Sequence, residues 1–257
     1  MMLLDHGLVF IIAIVYSVAG LFGFRRLLRR VAAGESVNRS QLYRNTIIGH
    51  WTLLFMCLAI WVGAARPWSA LGLGLQLDPG FALGVVLTVL GVVVLFMQIR
   101  QVKSATQEQL DGIRKRFGKL SLIIPHNGSE LARFYGLSIT AGIVEEILWR
   151  GFLIWYLDQF MPLWAAAVVS TIGFGLAHAY QGLAHLPQLT AVGAAFTGLY
   201  LLTGSIWLPV ILHAAVDILQ GRLAYDVIYR SLTGSGSSTS DDAAESTGMD
   251  VSVSSHR

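Results

Sequence analysis

The sequence predicts an all-α fold, a polytopic membrane bundle of about seven transmembrane helices. Of the 257 residues, 54% are hydrophobic and only 13% are charged, whereas soluble proteins carry about 25% charged residues. The mean hydropathy is +0.62. This composition excludes a disordered chain and makes a membrane protein the default class. The single cysteine, Cys57, lies in an apolar run, which excludes a disulfide framework or a thiolate metal cluster within one chain.

Seven apolar runs are long enough to cross a bilayer, which takes about 17 to 25 residues. They lie at 7–24, 46–65, 81–99, 131–157, 161–180, 188–203 and 205–221. Only the turn signal Gly204-Ser205 separates the last two runs, so the sequence is compatible with any number of spans from six to eight. The first run follows Asp5 and His6, not a basic stretch, and we expect a retained span, not a cleaved signal peptide.

Basic residues lie mainly in two loops, 25–45 and 100–130. Because Lys and Arg near span ends are retained in the cytoplasm, seven spans place the N-terminus outside and the C-terminus inside. We expect the basic loops to contact anionic lipid headgroups. The net charge of +3 therefore indicates topology, and we expect no nucleic-acid partner.

Charged residues are concentrated in the fourth run, which contains Glu145, Glu146 and Arg150. A charge at the centre of a membrane helix costs about 2.5–3.5 kcal/mol, so these side chains should face protein or water. Glu146 and Arg150 are spaced i,i+4 and can pair. Glu145 is left over for other chemistry, although one open interpretation is a buried structural network of all three.

Two later runs carry histidines at helical spacing from another notable residue, Phe174 with His178 and His213 with Asp217. In a medium without water each polar group needs a partner, and convergence on one cavity would satisfy them all. We expect the remaining histidines near span ends or in loops to be solvated: His6, His50, His126 and His256. His185, in a short loop, could line a cavity entrance.

Three short motifs occur in order on successive apolar runs. They are Glu145-Glu146-x-x-x-Arg150, Phe174-x-x-x-His178 and His213-x-x-x-Asp217. This set resembles the motifs of the CAAX prenyl protease and bacteriocin-processing (CPBP or ABI) family of intramembrane glutamic endopeptidases, over about residues 120–220. The resemblance implies a membrane-embedded peptidase, a hydrolase that cuts a membrane-associated protein or peptide without a cofactor.

The resemblance also implies roles for the motif residues. Glu145, helped by His178, would act as general base on a water molecule, and His213 would donate to the oxyanion. Glu146 and Arg150 would support the site beside Phe174.

Asp217 departs from the prenyl-protease branch, which has Asn at this position. An ionised carboxylate only accepts hydrogen bonds, so we expect Asp217 to orient His213. This departure indicates a protein of the prokaryotic type, located in a plasma membrane. The identity of its substrate is left open by the sequence.

Three alternatives remain open. Glu145, His178 and His213 could bind zinc as ligands of a metalloprotease. Acidic and histidine residues within spans also serve proton-coupled transporters. A non-catalytic scaffold that regulates another membrane protein would carry the same motifs.

The sequence predicts three regions. Residues 1–120 form N-terminal transmembrane helices with basic loops, and residues 121–230 form the catalytic core. Residues 231–257 are rich in serine and poor in large apolar side chains, so we expect a disordered tail. The oligomeric state is open.

Overall fold

The computed structural model describes residues 2–245, and it describes their side chains as far as residue 228. Within this part the regular secondary structure is helical, without β-strands. The α-helices are α1 (Met2–Phe10), α2 (Ser17–Ala32), α3 (Arg39–Gly63), α4 (Pro79–Lys103), α5 (Gln107–Phe117), α6 (Gly128–Glu146), α7 (Ile154–Leu157), α8 (Leu163–Ala177), α9 (Leu186–Thr203) and α10 (Trp207–Glu245).

Two π-helical segments join consecutive α-helices. Ile11–Tyr16 connects α1 with α2, and Ile147–Leu153 connects α6 with α7. The remaining short turns are 3-10 helices at Trp68–Leu71, Gly118–Leu122, Ala179–Gln181 and Leu183–His185. Since π-helical turns occur frequently at functional sites, the second segment is notable for its position directly after Glu145 and Glu146.

The predicted helical membrane bundle is confirmed. In the described part, five helical segments are long and apolar enough to cross a membrane: Met2–Ala32, Arg39–Gly63, Pro79–Lys103, Leu163–Gln181 and Leu183–Thr203. The predicted runs 131–157 and 205–221 fall on α6–α7 and α10, whose apolar stretches contain the charged motif residues. The chain is therefore a polytopic helical membrane protein.

Gly204 separates the last two apolar runs into distinct helices. Its φ of 60° lies in the left-handed region, where glycine lacks the steric penalty of a side chain, and α9 ends there. Helix α10 then continues to Glu245, into the segment predicted to be disordered. Residues 246–257 lie outside the described residues, and the disorder of 231–257 stays a prediction.

Close helix packing brings the motif residues together. Helix α6 packs against α3 on one side and α10 on the other. A Cβ atom on Gly142 would lie 2.9 Å from the backbone nitrogen of Ala214, so only glycine permits this approach of α6 to α10. This packing brings Glu145 next to His50 of α3 and Glu146 next to His213 of α10.

The N-terminal helix is tied to the same core by a charged pair. The Arg66 guanidinium donates through Nη1 and Nη2 to the two carboxylate oxygens of Asp5, at 2.8 and 2.7 Å. The guanidinium carbon also lies 4.4 Å from the ring centroid of Trp155. Two parallel hydrogen bonds to a carboxylate have a defined geometry, so α1 has a defined position relative to α3 and α7.

Candidate active site

Glu145 lies where three helices meet. Its Oε1 atom, on α6, is 2.9 Å from Nε2 of His50 on α3. Its Oε2 atom is 3.6 Å from Nε2 of His178 at the end of α8. The Glu145 side chain is 12% exposed to solvent. A carboxylate with two imidazoles on its two oxygens is suited to proton transfer.

The His178 ring is held by its own helix. Nδ1 lies 2.8 Å from the carbonyl oxygen of Phe174, and because a carbonyl only accepts, Nδ1–H is the donor. His178 is the C-cap of α8, where terminal carbonyl groups lack partners within the helix. This contact directs Nε2 towards Glu145, and the i,i+4 spacing of the second motif therefore has a structural purpose.

His50 is the site residue that the sequence-based interpretation missed. The prediction that His50 is solvated is wrong, because its exposed fraction is 4%. Helix α3 begins at Arg39, so His50 lies well inside the helix and not near its start. A polar side chain within an apolar run, with no water to solvate it, was the available signal.

The other histidines lie away from this cluster. His6 and His126 are exposed, as predicted, and contact the Tyr156 hydroxyl and the Ser121 carbonyl oxygen respectively. His185 is half-buried, and its place at a cavity entrance stays a prediction. His256 lies outside the described residues.

Glu146 belongs to a second, closed cluster. Its Oε1 accepts from Nη1 of Arg150 at 2.8 Å and from Nδ1 of His213 at 2.7 Å. The side chains of Glu146 and Arg150 are both 0% exposed. The predicted ion pair between Glu146 and Arg150 is confirmed.

The Arg150 guanidinium has further contacts besides Glu146. Nη2 donates to the carbonyl oxygen of Gly193 at 3.0 Å, and Nε donates to the Thr197 hydroxyl at 3.4 Å. The guanidinium carbon lies 4.3 Å from the ring centroid of Phe174, a cation–π contact. Phe174 therefore connects the two clusters, because its carbonyl oxygen holds His178 while its ring covers Arg150.

His213 lies between two carboxylates. Glu146 holds Nδ1, and Nε2 is 3.7 Å from Oδ2 of Asp217, beyond hydrogen-bond distance. The expectation that Asp217 is the group that orients His213 therefore needs correction, since the short contact comes from Glu146. The ring also stacks on Phe196 with a centroid separation of 4.8 Å. Asp217 is the most open group here, with a side chain 36% exposed.

The donor set for a metal ion is divided between the two clusters. His213 directs its ring nitrogens at Glu146 and Asp217, while His178 faces Glu145. Among the described residues, no group of three or more His, Cys, Asp and Glu side chains is arranged to hold a metal ion.

Residues 127–219 match the model of a family described as type II CAAX prenyl endopeptidase Rce1-like. The predicted family resemblance is therefore confirmed. The matching segment, called below the family-like segment, contains all three motifs but neither His50 nor any other residue of α3.

One relative in the comparison is the candidate membrane peptidase YdiL of Bacillus subtilis (strain 168). It is 37% identical over 80 residues, which are 31% of this chain and 32% of that protein. The chain thus matches about a third of this relative's length. No solved structure matches this chain.

Proposed function

We propose that this protein is a membrane-embedded endopeptidase that hydrolyses a peptide bond of a membrane-associated protein or peptide. The observation that carries the proposal is the Glu145 carboxylate, which lies between the imidazoles of His50 and His178 on a side chain that is 12% exposed. The match of the family-like segment to endopeptidases supports the same reaction class. The arrangement suits activation of a water molecule.

Glu145 would act as the general base through Oε2. Among the described residues, no side chain or backbone group donates a hydrogen bond to this buried oxygen. A water molecule that contacts Oε2 and Nε2 of His178 would lose a proton to Glu145 as its oxygen attacks the scissile carbonyl. The same proton would then pass to the leaving amine, so the products are a carboxylic acid and an amine.

His213 would stabilise the oxyanion that forms during the attack. Because Nδ1–H already donates to Glu146, the donor to the substrate has to be Nε2, and the ring acts in its imidazolium form. Glu146 and Arg150 hold this ring in place, and a donor with a fixed position loses little free energy through reorganisation. Asp217, on the open side of His213, would contact the bound substrate or its water.

The membrane setting completes the proposal. The protein would lie in a prokaryotic plasma membrane with its N-terminus outside and its C-terminus in the cytoplasm, as the basic loops favour. Anionic lipids would contact these loops. The substrate would reach Glu145 from the membrane or its surface.

Cleavage by purified protein tests the proposal. The wild type and Glu145→Gln are reconstituted in liposomes and incubated with a library of quenched fluorescent peptides, with and without a C-terminal prenyl group. We expect the wild type to cleave a subset of these peptides and Glu145→Gln to cleave none. Equal cleavage by both proteins would refute the assignment of Glu145.

Two controls separate the alternatives. A zinc protease that uses Glu145, His178 and His213 would lose activity in 1,10-phenanthroline, whereas we expect no loss. A transporter would move protons across the liposome membrane without cleaving peptides, and a scaffold would do neither.

A further inference from the structure

We propose that His50 is a positioning residue that orients Glu145, so that helix α3 completes a site whose motifs all lie in the family-like segment. Its imidazole holds Oε1 and thereby presents Oε2 to His178. This inference rests on the proposed function, because it assigns His50 a role in the same reaction.

The first observation is the contact itself. Nε2 of His50 lies 2.9 Å from Oε1 of Glu145, a hydrogen-bond distance, whereas His178 is 3.6 Å from Oε2. Both partners of the shorter contact are largely removed from solvent, at 5% and 12% side-chain exposure. Among the described residues, His50 is therefore the group that hydrogen-bonds Glu145.

The second observation is that the far side of the His50 ring is also held. Nδ1 lies 2.9 Å from the carbonyl oxygen of Thr46 and 3.0 Å from the hydroxyl of Tyr16. The charged ring donates from Nδ1 to Thr46 and from Nε2 to Glu145. Because a carbonyl oxygen only accepts, the Nδ1 proton stays with Thr46, and the Tyr16 hydroxyl oxygen shares it as a second acceptor. The proton on Nε2 is then the one that Glu145 receives in its hydrogen bond.

The physical consequence concerns the orientation of the carboxylate. The last torsion angle of a glutamate joins sp³ and sp² atoms and has a broad minimum, so the backbone of α6 alone does not define where Oε2 points. A hydrogen bond at Oε1 restricts that rotation. His50 thereby sets the angle at which Oε2 meets a water molecule next to His178.

The N-terminal helices hold His50 in turn. Tyr16 ends the π-helical segment Ile11–Tyr16, and its ring meets that of His50 edge to face, with centroids 5.5 Å apart. The Asp5–Arg66 ion pair holds α1, the helix that leads directly into this segment. The N-terminal region would therefore support the site and not serve only as a membrane anchor.

A matched pair of substitutions tests this role, His50→Gln and His50→Met. The two new side chains have similar lengths, but only glutamine carries an N–H donor for Oε1. With the peptide that the wild type cleaves best, we expect His50→Met to lower kcat about 100-fold, the order expected for a reacting group displaced by 1 Å. KM should change little. His50→Gln should recover most of the loss, to within about tenfold of the wild type.

Leu54→Ala is the control for a purely structural effect. Leu54 is buried one turn along α3, and we expect its truncation to lower thermal stability while kcat per folded molecule stays unchanged. The inference is overturned if the two His50 variants lose kcat equally, or only in proportion to their thermal stability.

Two further variants keep the outcomes distinguishable. If Glu145→Gln cleaves the peptide, the proposed function fails. If Glu145→Gln is inactive while His50→Met turns over at the wild-type rate, only the role of His50 fails.

If His50→Met does not fold, Tyr16→Phe provides the test, because it removes one of the groups that hold the His50 ring. We expect it to lower kcat several-fold, and an unchanged kcat would overturn the inference.

Discussion

Glu145 and Glu146 are adjacent in the chain but lie in opposite environments. Glu145 faces two histidines on α3 and α8 and keeps a partly exposed side chain. Glu146 faces Arg150 and His213 and is 0% exposed. Successive residues of an α-helix point about 100° apart, and this rotation is enough to separate a group suited to react from one suited to hold structure.

The difference between the two glutamates comes from the groups around each carboxylate, because the carboxylates themselves are chemically the same. Each glutamate has an Oε2 atom without a hydrogen-bond partner among the described residues. Glu146 is sealed in protein, and its other oxygen, Oε1, accepts from the Arg150 guanidinium, which has no acceptor atoms and only donates hydrogen bonds. For Glu145 the free Oε2 atom lies 3.6 Å from the His178 imidazole, a ring that can both donate and accept a hydrogen bond.

The largest expected effect is on activity at Glu145. Glu145→Gln keeps the shape of the side chain and removes the base, so we expect peptide cleavage to fall about 1,000-fold or more. Thermal unfolding in detergent should stay close to that of the wild type. Substantial cleavage by this variant would mean that the two glutamates do not differ as proposed.

The next effect is on stability at the closed cluster. Arg150→Met leaves the Glu146 charge without its main partner, and we expect a loss of about 3–5 kcal/mol of unfolding free energy. Adding Glu146→Gln to Arg150→Met removes that charge and should restore part of the loss. Thermal unfolding measures both variants. Equal stability of Arg150→Met and Glu145→Gln would show that the distinction between the clusters is wrong.

A smaller effect is expected on the open side of the site. Asp217→Asn replaces a carboxylate with an amide at a side chain that is 36% exposed. Because solvent screens this position, we expect stability to change by less than about 1 kcal/mol. Peptide cleavage should stay well above that of Glu145→Gln. A loss as complete as that of Glu145→Gln would place Asp217 among the reacting groups.

The smallest effect is expected far from both glutamates. Deletion of residues 231–257 removes a serine-rich segment whose composition provides almost no large apolar side chains for a core. We expect thermal stability and peptide cleavage to stay nearly unchanged. A clear fall in cleavage alone would show that this segment contributes to the site.

The sequence by itself determined the helical membrane class and most of the candidate site. Apolar run lengths predicted where the long described helices lie, because the bilayer sets the length of a span, but they did not predict that α10 continues to Glu245. The i,i+4 spacing of Glu146 and Arg150 predicted their ion pair, now seen at 2.8 Å. Such contacts are readable because both residues belong to one helix of known period.

Only the tertiary structure decided which imidazole meets which carboxylate. His50 and Glu145 are 95 residues apart, and His213 is oriented by Glu146 of α6, not by Asp217 of its own helix. The distance between two helices and their rotation depend on packing at particular positions, such as Gly142 against α10. Periodicity within a single helix carries no information about those distances and rotations, so the sequence pattern identified the motif residues but not their partners.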